Sequence, residues 1–250
     1  MIQPEADPQF QKPQLRTANQ RVARALKQLE AMGKVIGKYL ARSEDCFELF
    51  VRKDELQNGK GVRPILDWSK APRLPATKLA IEAGEIVHHL RTALDYLVYN
   101  LAWLDSGEPQ PRTQFPIEDS PKSFWQSQRR SRLRGVSDVH VNMIASFQPF
   151  SGCEWIGQLR QFSNADKHRL VVPVIRLHQG QFRIDKGEFL PHPDDPQLVI
   201  IPMKEQSTNV CLEDDSGLYE TLILVACGVA GIIDLFKPDF GERDRISIRT

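Results

Sequence analysis

The amino-acid sequence predicts an α+β protein, in which a helical bundle core is combined with an antiparallel β-sheet. Long segments repeat apolar residues every three or four positions, which is the period of a helix that buries one face. Short segments rich in Val and Ile, separated by Gly, Pro and Asp, follow residue 170 and are typical of strands. An early hairpin within residues 45–68 is expected to join those later strands in the same sheet.

Composition is that of an ordinary globular protein with a sizeable core. The chain has 250 residues, of which 41% are apolar and 26% charged. Its 33 basic and 32 acidic residues give a net charge of +1, so strong nonspecific binding of nucleic acid is not expected. A local basic patch is compatible with this net charge. The four cysteines are far apart in sequence and form no Cys-x-x-Cys pair, which favours reduced thiols in a cytoplasmic protein.

The expected domain organisation is a loose arm over residues 1–13 and a single α+β domain over residues 14–250. Three prolines and few apolar residues indicate the arm. Within the domain, the helical core is expected at about 14–169 and 216–236, and the β-rich part at about 45–68 and 170–213. The longest apolar run, residues 222–233, has about half the length that a bilayer requires, so no membrane contact is expected.

A long first helix is predicted after Pro13. Its apolar residues alternate spacings of three and four, which is the seam of a helix packed along a neighbour. The seam consists of Leu15, Ala18, Val22, Ala25, Leu29, Met32, Ile36 and Tyr39. Packing within a bundle is favoured because the pattern ends after about three and a half heptads. A homodimer through the helices is the alternative.

The centre of the predicted core is a helix over residues 81–104. At 100° per residue, four of its side chains fall within about 60° of one another beside a broad apolar face. This polar stripe comprises Gly84, His88, Arg91 and Asp95. Spacings of three and four residues bring His88 next to Arg91 and Arg91 next to Asp95, so the stripe is the best candidate for a site.

A second predicted helix, over residues 154–169, repeats this arrangement. Asp166 shares a side with Trp155, Leu159 and Phe162, whereas Arg160, Asn164, Lys167 and His168 spread over the other side. A carboxylate that faces the core needs a cation, because an unpaired buried charge is very costly. Arg91 is the predicted partner of Asp166, and Asp95 is expected to pair with His168 or Arg169.

A short helix, which Ser120 and Pro121 are expected to begin, carries the most basic segment of the chain. Arginine side chains can hold phosphates bidentately, so the segment is a candidate nucleic-acid contact, with a solvated surface as the alternative. Its arginines are Arg129, Arg130, Arg132 and Arg134.

Several motifs resemble a family of uncharacterised bacterial proteins. They are GEIVHHLRTALDYLVYNL in the central helix, FPI at 115–117, QPF at 148–150 and LRQFSNADKHR in the second helix. That family typically reads HNLRSALDHL and N-x-x-DKHR at the matching places, and the resemblance covers about residues 45–175. It implies no activity.

A weaker resemblance is to the HEPN superfamily of helical-bundle ribonucleases, which carry an Arg and, after four to six residues, a His on one helix. Membership would imply metal-independent RNA cleavage in a toxin or defence role. The matching positions here are Arg91 and Tyr96. Tyr96 departs from the pattern, because a phenol is a poor general base at neutral pH.

Two functional interpretations follow. In the first, the protein is an RNA phosphodiesterase whose catalytic residues are drawn from His88, Arg91, Asp95, Tyr96, Asn164, Lys167 and His168. In the second, Arg91 and Asp166 form a buried structural pair, and the protein is a non-enzymatic binding or assembly module. The second is favoured. No cofactor or metal is expected, since the chain lacks a P-loop, a G-x-G-x-x-G turn and a His-Glu-x-x-His pair.

Overall fold

The computed structural model describes residues 12–43, 48–54, 65–67, 72–128, 131–168, 174–177, 190–191, 195–201, 208–211 and 217–241. Within these residues, the longer helices are α1 (Arg16–Ser43), α2 (Ala76–Ser106), α3 (Asp138–Ser146), α4 (Glu154–His168) and α5 (Leu218–Phe236). Shorter helical turns occupy Pro121–Ser123, Phe124–Gln128, Pro149–Ser151 and Lys237–Phe240. The predicted loose arm, residues 1–13, lies mostly outside the described residues.

The chain divides into two compact units. The first contains Met1–Ala31, Thr77–Val172 and Tyr219–Thr250, and the second contains Met32–Ala76 and Pro173–Leu218. Helix α1 therefore contributes its first half to one unit and its second half to the other. All the candidate site residues described below belong to the first unit.

Helix α1 confirms the predicted seam. Each of its eight seam residues, from Leu15 to Tyr39, is at most 6% exposed. Burying a large apolar side chain contributes about 1.5–3 kcal/mol, so a continuous apolar stripe fixes which face of α1 packs inward. The start of the helix is tied to α2, because Gln14 N donates to Asn100 Oδ1 at 2.9 Å while Asn100 Nδ2 donates to Tyr96 O at 2.8 Å.

Helix α2 is the longest helix of the protein within the described residues, and one face of it is buried. It begins at Ala76, five residues before the predicted start, and its buried face includes Ile86, Leu90, Leu94 and Leu97. The predicted cap is present, since Ser120 Oγ accepts from Ser123 N, and Ser137 Oγ likewise accepts from His140 N at the start of α3. A polar side chain at each cap satisfies backbone N–H groups that have no partner inside the helix.

Two glycines allow close packing that a side chain would prevent. Gly135 has a φ of +79°, and a Cβ there would lie 2.6 Å from Gln110 Cγ. On α5, a Cβ at Gly228 would lie 2.6 Å from the ring of Trp155, which belongs to α4. The absent side chain at Gly228 thus lets the Trp155 ring pack directly on the backbone of α5.

The α+β fold class is corrected by the structure. Helix accounts for 73% of the residues described with both backbone and side chain, and these residues include only a lone strand, so no antiparallel sheet is shown among them. The class is therefore mainly helical, and the helical bundle part of the prediction is confirmed. Helix dominates because the helices are much longer than the strands: α1 and α2 have 28 and 31 residues, whereas no described strand exceeds five.

Short backbone ladders occur in the second unit instead of the single predicted sheet. The order β2 (Ile65–Asp67), β1 (Glu48–Arg52), β5 (Leu198–Ile201) and β4 (Leu190–Pro191) is antiparallel throughout, with Phe50 opposite both Ile65 and Ile200. Strands β3 (Val174–Leu177) and β6 (Thr208–Cys211) pair separately. The strands after residue 170 are thus divided between two ladders.

One helix within the described residues, Leu218–Phe240, is long and apolar enough by length and composition to cross a membrane. Half of its most apolar window is buried inside the protein. A core helix passes the same test, so this finding is weak evidence for a membrane.

Candidate functional site

Arg91 and Asp95 on α2 hold the backbone of Phe115 from both sides. Arg91 Nη2 donates to Phe115 O at 2.5 Å, and Phe115 N donates to Asp95 Oδ1 at 3.0 Å. The two side chains also form an ion pair of 3.3 Å, with exposed fractions of 18% and 28%. Because helical spacing places the cation and the carboxylate one turn apart, together they satisfy both polar groups of one peptide residue.

The electrostatics of Arg91 fit this partly buried position. Burial lowers the pKa of the guanidinium, Asp95 opposes that change by raising it, and the nearby charge of Arg132 lowers it further. Arginine remains charged in proteins at neutral pH, so the contact with Phe115 O is a charge-assisted hydrogen bond.

Gln148 holds the next part of the same segment. Its side chain is fully buried, and Oε1 accepts from Glu118 N at 2.9 Å. Nε2 donates to Pro116 O at 2.9 Å and to Ile144 O at 3.1 Å. An amide has both donor and acceptor groups, which lets one side chain satisfy backbone atoms on two sides.

Arg160 on α4 completes the set. Nη1 donates to Ile117 O at 3.1 Å, and Nη2 donates to both carboxylate oxygens of Asp119 at 2.7 Å. Side chains from α2, from α4 and from the turn after α3 therefore converge on residues 115–119. We call this arrangement the 115–119 lock, formed by Arg91, Asp95, Gln148 and Arg160.

A groove of about 590 Å³ lies between α1 and α2, and α2 lines it with residues that precede the lock residues Arg91 and Asp95 in the helix. It is lined by Arg24, Gln28, Ile81, Gly84, Glu85, His88 and His89. Arg24 and His88 are exposed, and Gln28 Nε2 donates to Glu85 Oε2 at 2.6 Å. The groove has the size of a small-molecule site.

The state of His89 in this groove follows from its neighbour. Arg21 Nη1 lies 3.1 Å from His89 Nδ1. A guanidinium only donates, so Nδ1 accepts and the ring is neutral, with its proton on Nε2. Consistently, the pKa of His89 is lowered, first by burial and then by the charges of Arg21, His88 and Arg24, whereas Glu85 acts to raise it.

A third polar cluster joins α2, α3 and the turn after α5. His140 Nδ1 lies 2.8 Å from Asp105 Oδ2, and His140 Nε2 lies 3.5 Å from Asp239 Oδ2. Asp105 Oδ2 also accepts from Ser137 N at 2.7 Å. His140 is 8% exposed and its ring meets that of Phe236 edge-on, so the cluster serves to connect the ends of these elements.

The predicted polar stripe on α2 is divided between these regions. Arg91 and Asp95 are brought together in the lock, whereas Gly84 and His88 line the groove. Tyr96 is half-buried, and its carbonyl oxygen accepts from Asn100. Asn164 is exposed on α4.

The side chains of Asp166, Lys167 and His168 lie outside the described residues, so their predicted pairing with Arg91 and Asp95 stays a prediction. The same holds for Arg129, Arg130 and Arg169. Arg132 and Arg134 are described, and they lie in a turn rather than on the short helix that precedes it.

Sequence reasoning missed several residues of these regions. Gln148 stood out only as part of QPF, and Arg21, Arg24 and His89 carried no signal, since the two walls of the groove are more than fifty residues apart in the sequence. The described residues contain no group of three or more His, Cys, Asp or Glu side chains that could hold a metal ion.

No family model matches the chain, and no curated protein or solved structure matches it either.

Proposed function

We propose that this protein is a non-enzymatic binding module, in which the 115–119 lock maintains the scaffold and the groove between α1 and α2 receives the ligand. The observation that carries the proposal is the engagement of Arg91 and Asp95 with the backbone of Phe115. Side chains that stabilise a developing charge on a substrate must point at that substrate. Arg91 instead points at a peptide carbonyl of its own chain.

The groove supports the second half of the proposal. Its size suits a small ligand, and Ile81, at 52% exposed, gives it an apolar wall beside polar groups from both helices. Ligand sites combine apolar surface with polar groups that fix the orientation of the ligand, and this groove offers both.

A thermal-unfolding screen tests this function. Ligands that bind only the folded state raise its melting temperature. The wild type and the variants Arg24→Gln and Ile81→Ala would be screened against phosphates, carboxylates, small apolar compounds and short RNAs. We expect at least one class to stabilise the wild type and to lose its effect in the variants. Stabilisation that never depends on these residues would contradict the proposed function.

A metal-independent RNA-cleaving enzyme is the second candidate, in keeping with the HEPN resemblance. It is favoured by the adjacent rings of His88 and His89, whose centroids are 6.0 Å apart in one groove. A neutral His89 would be suited to the role of base, and the imidazole of His88 lies beside it.

Incubation of single-stranded RNA with the protein in EDTA distinguishes the two candidates. The binding proposal expects intact RNA. Cleavage that persists in EDTA and disappears in a normally folded His88→Ala variant would favour the enzyme instead.

RNA binding by the basic segment is tested separately through its salt dependence. The logarithm of the binding constant falls as the logarithm of the salt concentration rises, and each phosphate contact that is lost makes this negative slope less steep by about one. If the segment binds RNA, that slope should become less steep after joint replacement by Gln of Arg129, Arg130, Arg132 and Arg134. An unchanged slope would remove this assignment.

A further inference from the structure

The groove between α1 and α2 contains hydrogen-bond donors that the described residues leave unused. Arg24 is exposed and makes no hydrogen bond or ion pair with any described residue. His88 is exposed as well, and among described residues its ring meets that of His89. By contrast, the lock engages its guanidinium and carboxylate groups with backbone atoms. Unpaired donors around a concave surface favour an acceptor that comes from outside the protein.

The charges around the groove favour an anion. Arg21 and Arg24 on α1 are permanently positive, and Glu85 is the acidic residue that lines the groove. Glu85 already accepts a hydrogen bond from Gln28, which draws its carboxylate towards α1. Two arginines against one glutamate leave the balance of charge around the groove positive.

Arg21 has a supporting position in this arrangement. Its guanidinium donates to His89 Nδ1, which leaves His89 Nε2–H as a neutral donor of fixed tautomer. His89 therefore adds a directed hydrogen-bond donor to the groove without requiring a counter-charge. Arg24 and His88 remain the groups that can meet a negative charge directly.

The apolar wall limits the kind of anion. Ile81 is exposed by 52% at one side of the groove, and Gly84 contributes no side chain there. A bare inorganic ion would leave Ile81 in contact with water. A ligand that carries a planar or apolar group beside its phosphate would cover it, and the imidazole ring of His88 offers a face on which a base can stack.

We propose that the groove binds a nucleotide, whose phosphate Arg24 and His88 hold while its base or sugar covers Ile81. This rests on the proposed function, because it identifies the ligand of the same groove. The phosphate belongs either to a free nucleotide or to a nucleotide within a single-stranded RNA, since both present the same chemistry to these side chains.

The test is titration calorimetry of the full chain with AMP, inorganic phosphate and a short single-stranded RNA at low salt. We expect AMP to bind more tightly than inorganic phosphate. Arg24→Gln should weaken AMP binding about tenfold or more, as expected when a charge-assisted hydrogen bond is lost. Lys27→Gln is the matched control: it removes the same charge from an exposed position of α1 outside the groove, and binding should stay within about twofold.

Two further variants separate the parts of the ligand. His88→Gln should weaken both AMP and phosphate, whereas Ile81→Ala should weaken AMP and leave phosphate unchanged. Competition between RNA and AMP for the groove would assign the nucleotide to an RNA chain, and binding of AMP alone would assign it to a free nucleotide. Either result supports the proposal.

Absence of AMP binding in the millimolar range would overturn it, and so would equal losses in Arg24→Gln and Lys27→Gln. In that case the thermal-unfolding screen tells the two failures apart. If a different ligand stabilises the protein and still depends on Arg24 and Ile81, the proposed binding function is retained and only the nucleotide is ruled out. If no ligand depends on the groove, both the nucleotide proposal and the proposed binding function are contradicted.

Discussion

The 115–119 lock and the groove use the same residue types in opposite ways. On the side of the 115–119 lock, Arg91 and Asp95 satisfy the N–H and the carbonyl of Phe115. On the side of the groove, Arg24 and His88 are exposed, with no hydrogen bond to any described residue. The role of an arginine on a helical stripe therefore cannot be inferred until its partner is known. A paired arginine stabilises the scaffold, and an unpaired one is available to a ligand.

The largest expected effect comes from the buried amide of the lock. Gln148→Leu keeps most of the side-chain volume but leaves Pro116 O and Glu118 N without their partner. Buried backbone groups that lose their hydrogen bonds cost about 1–3 kcal/mol each, so we expect a loss of about 3 kcal/mol in the free energy of unfolding. Urea unfolding measures it, and a loss below about 1 kcal/mol would show that these bonds do not hold the segment.

The next prediction compares one arginine from each region. Arg91→Ala should lower the free energy of unfolding by about 2–3 kcal/mol, because it removes a charge-assisted hydrogen bond and leaves Asp95 without its ion pair. Arg24→Ala should change it by less than about 0.5 kcal/mol, since the side chain is exposed. The comparison fails if the two variants unfold at the same urea concentration.

A smaller effect is expected at the outer end of the lock. Arg160→Lys keeps the charge but cannot donate to Ile117 O and to both oxygens of Asp119 in the same geometry. We expect a loss of about 1 kcal/mol, since the Asp119 side chain is 69% exposed and its ion pair is weak in water. Thermal unfolding at two salt concentrations checks this, because the carbonyl contact should be less sensitive to salt than the ion pair.

The smallest effect concerns the pH dependence of stability in the groove. The pKa of His89 is lowered in the folded protein from its ordinary 6.5, so the unfolded chain binds a proton more readily. Its contribution is fully present above pH 6.5 and is lost as the pH falls towards the folded-state pKa. In His89→Gln, unfolding free energies should decline less steeply between neutral and mildly acidic pH. An equal or steeper decline would contradict the assignment of a neutral His89.

The helices could be predicted from the sequence because their signals are local. The seam of α1 and the cap at Ser120 depend on neighbours within one or two turns, and both are present. The fold class was wrong because the Val- and Ile-rich segments give only short strands, and pattern alone does not tell which strands share a ladder. Strand pairing depends on contacts distant in sequence.

For the candidate sites, too, contacts that are local in sequence could be predicted and contacts that are distant in sequence could not. Helical spacing correctly placed Arg91 beside Asp95. It could not reveal that their shared partner is a backbone residue about twenty positions later, or that Gln148 and Arg160 hold the same segment. The groove was missed because its two walls come from separate helices, and the sequence pattern of one helix does not indicate which part of the other it will face.

Hydrogen exchange at the Phe115 amide tests the central claim most directly, since that N–H donates to Asp95 within the lock. The amide should be protected in the wild type and in His88→Ala, and it should lose protection in Asp95→Ala and Arg91→Ala under conditions where both variants remain folded. A Phe115 amide that exchanges freely in the wild type, or keeps its protection in both lock variants, would contradict the division of α2 into an earlier binding segment and a later structural segment.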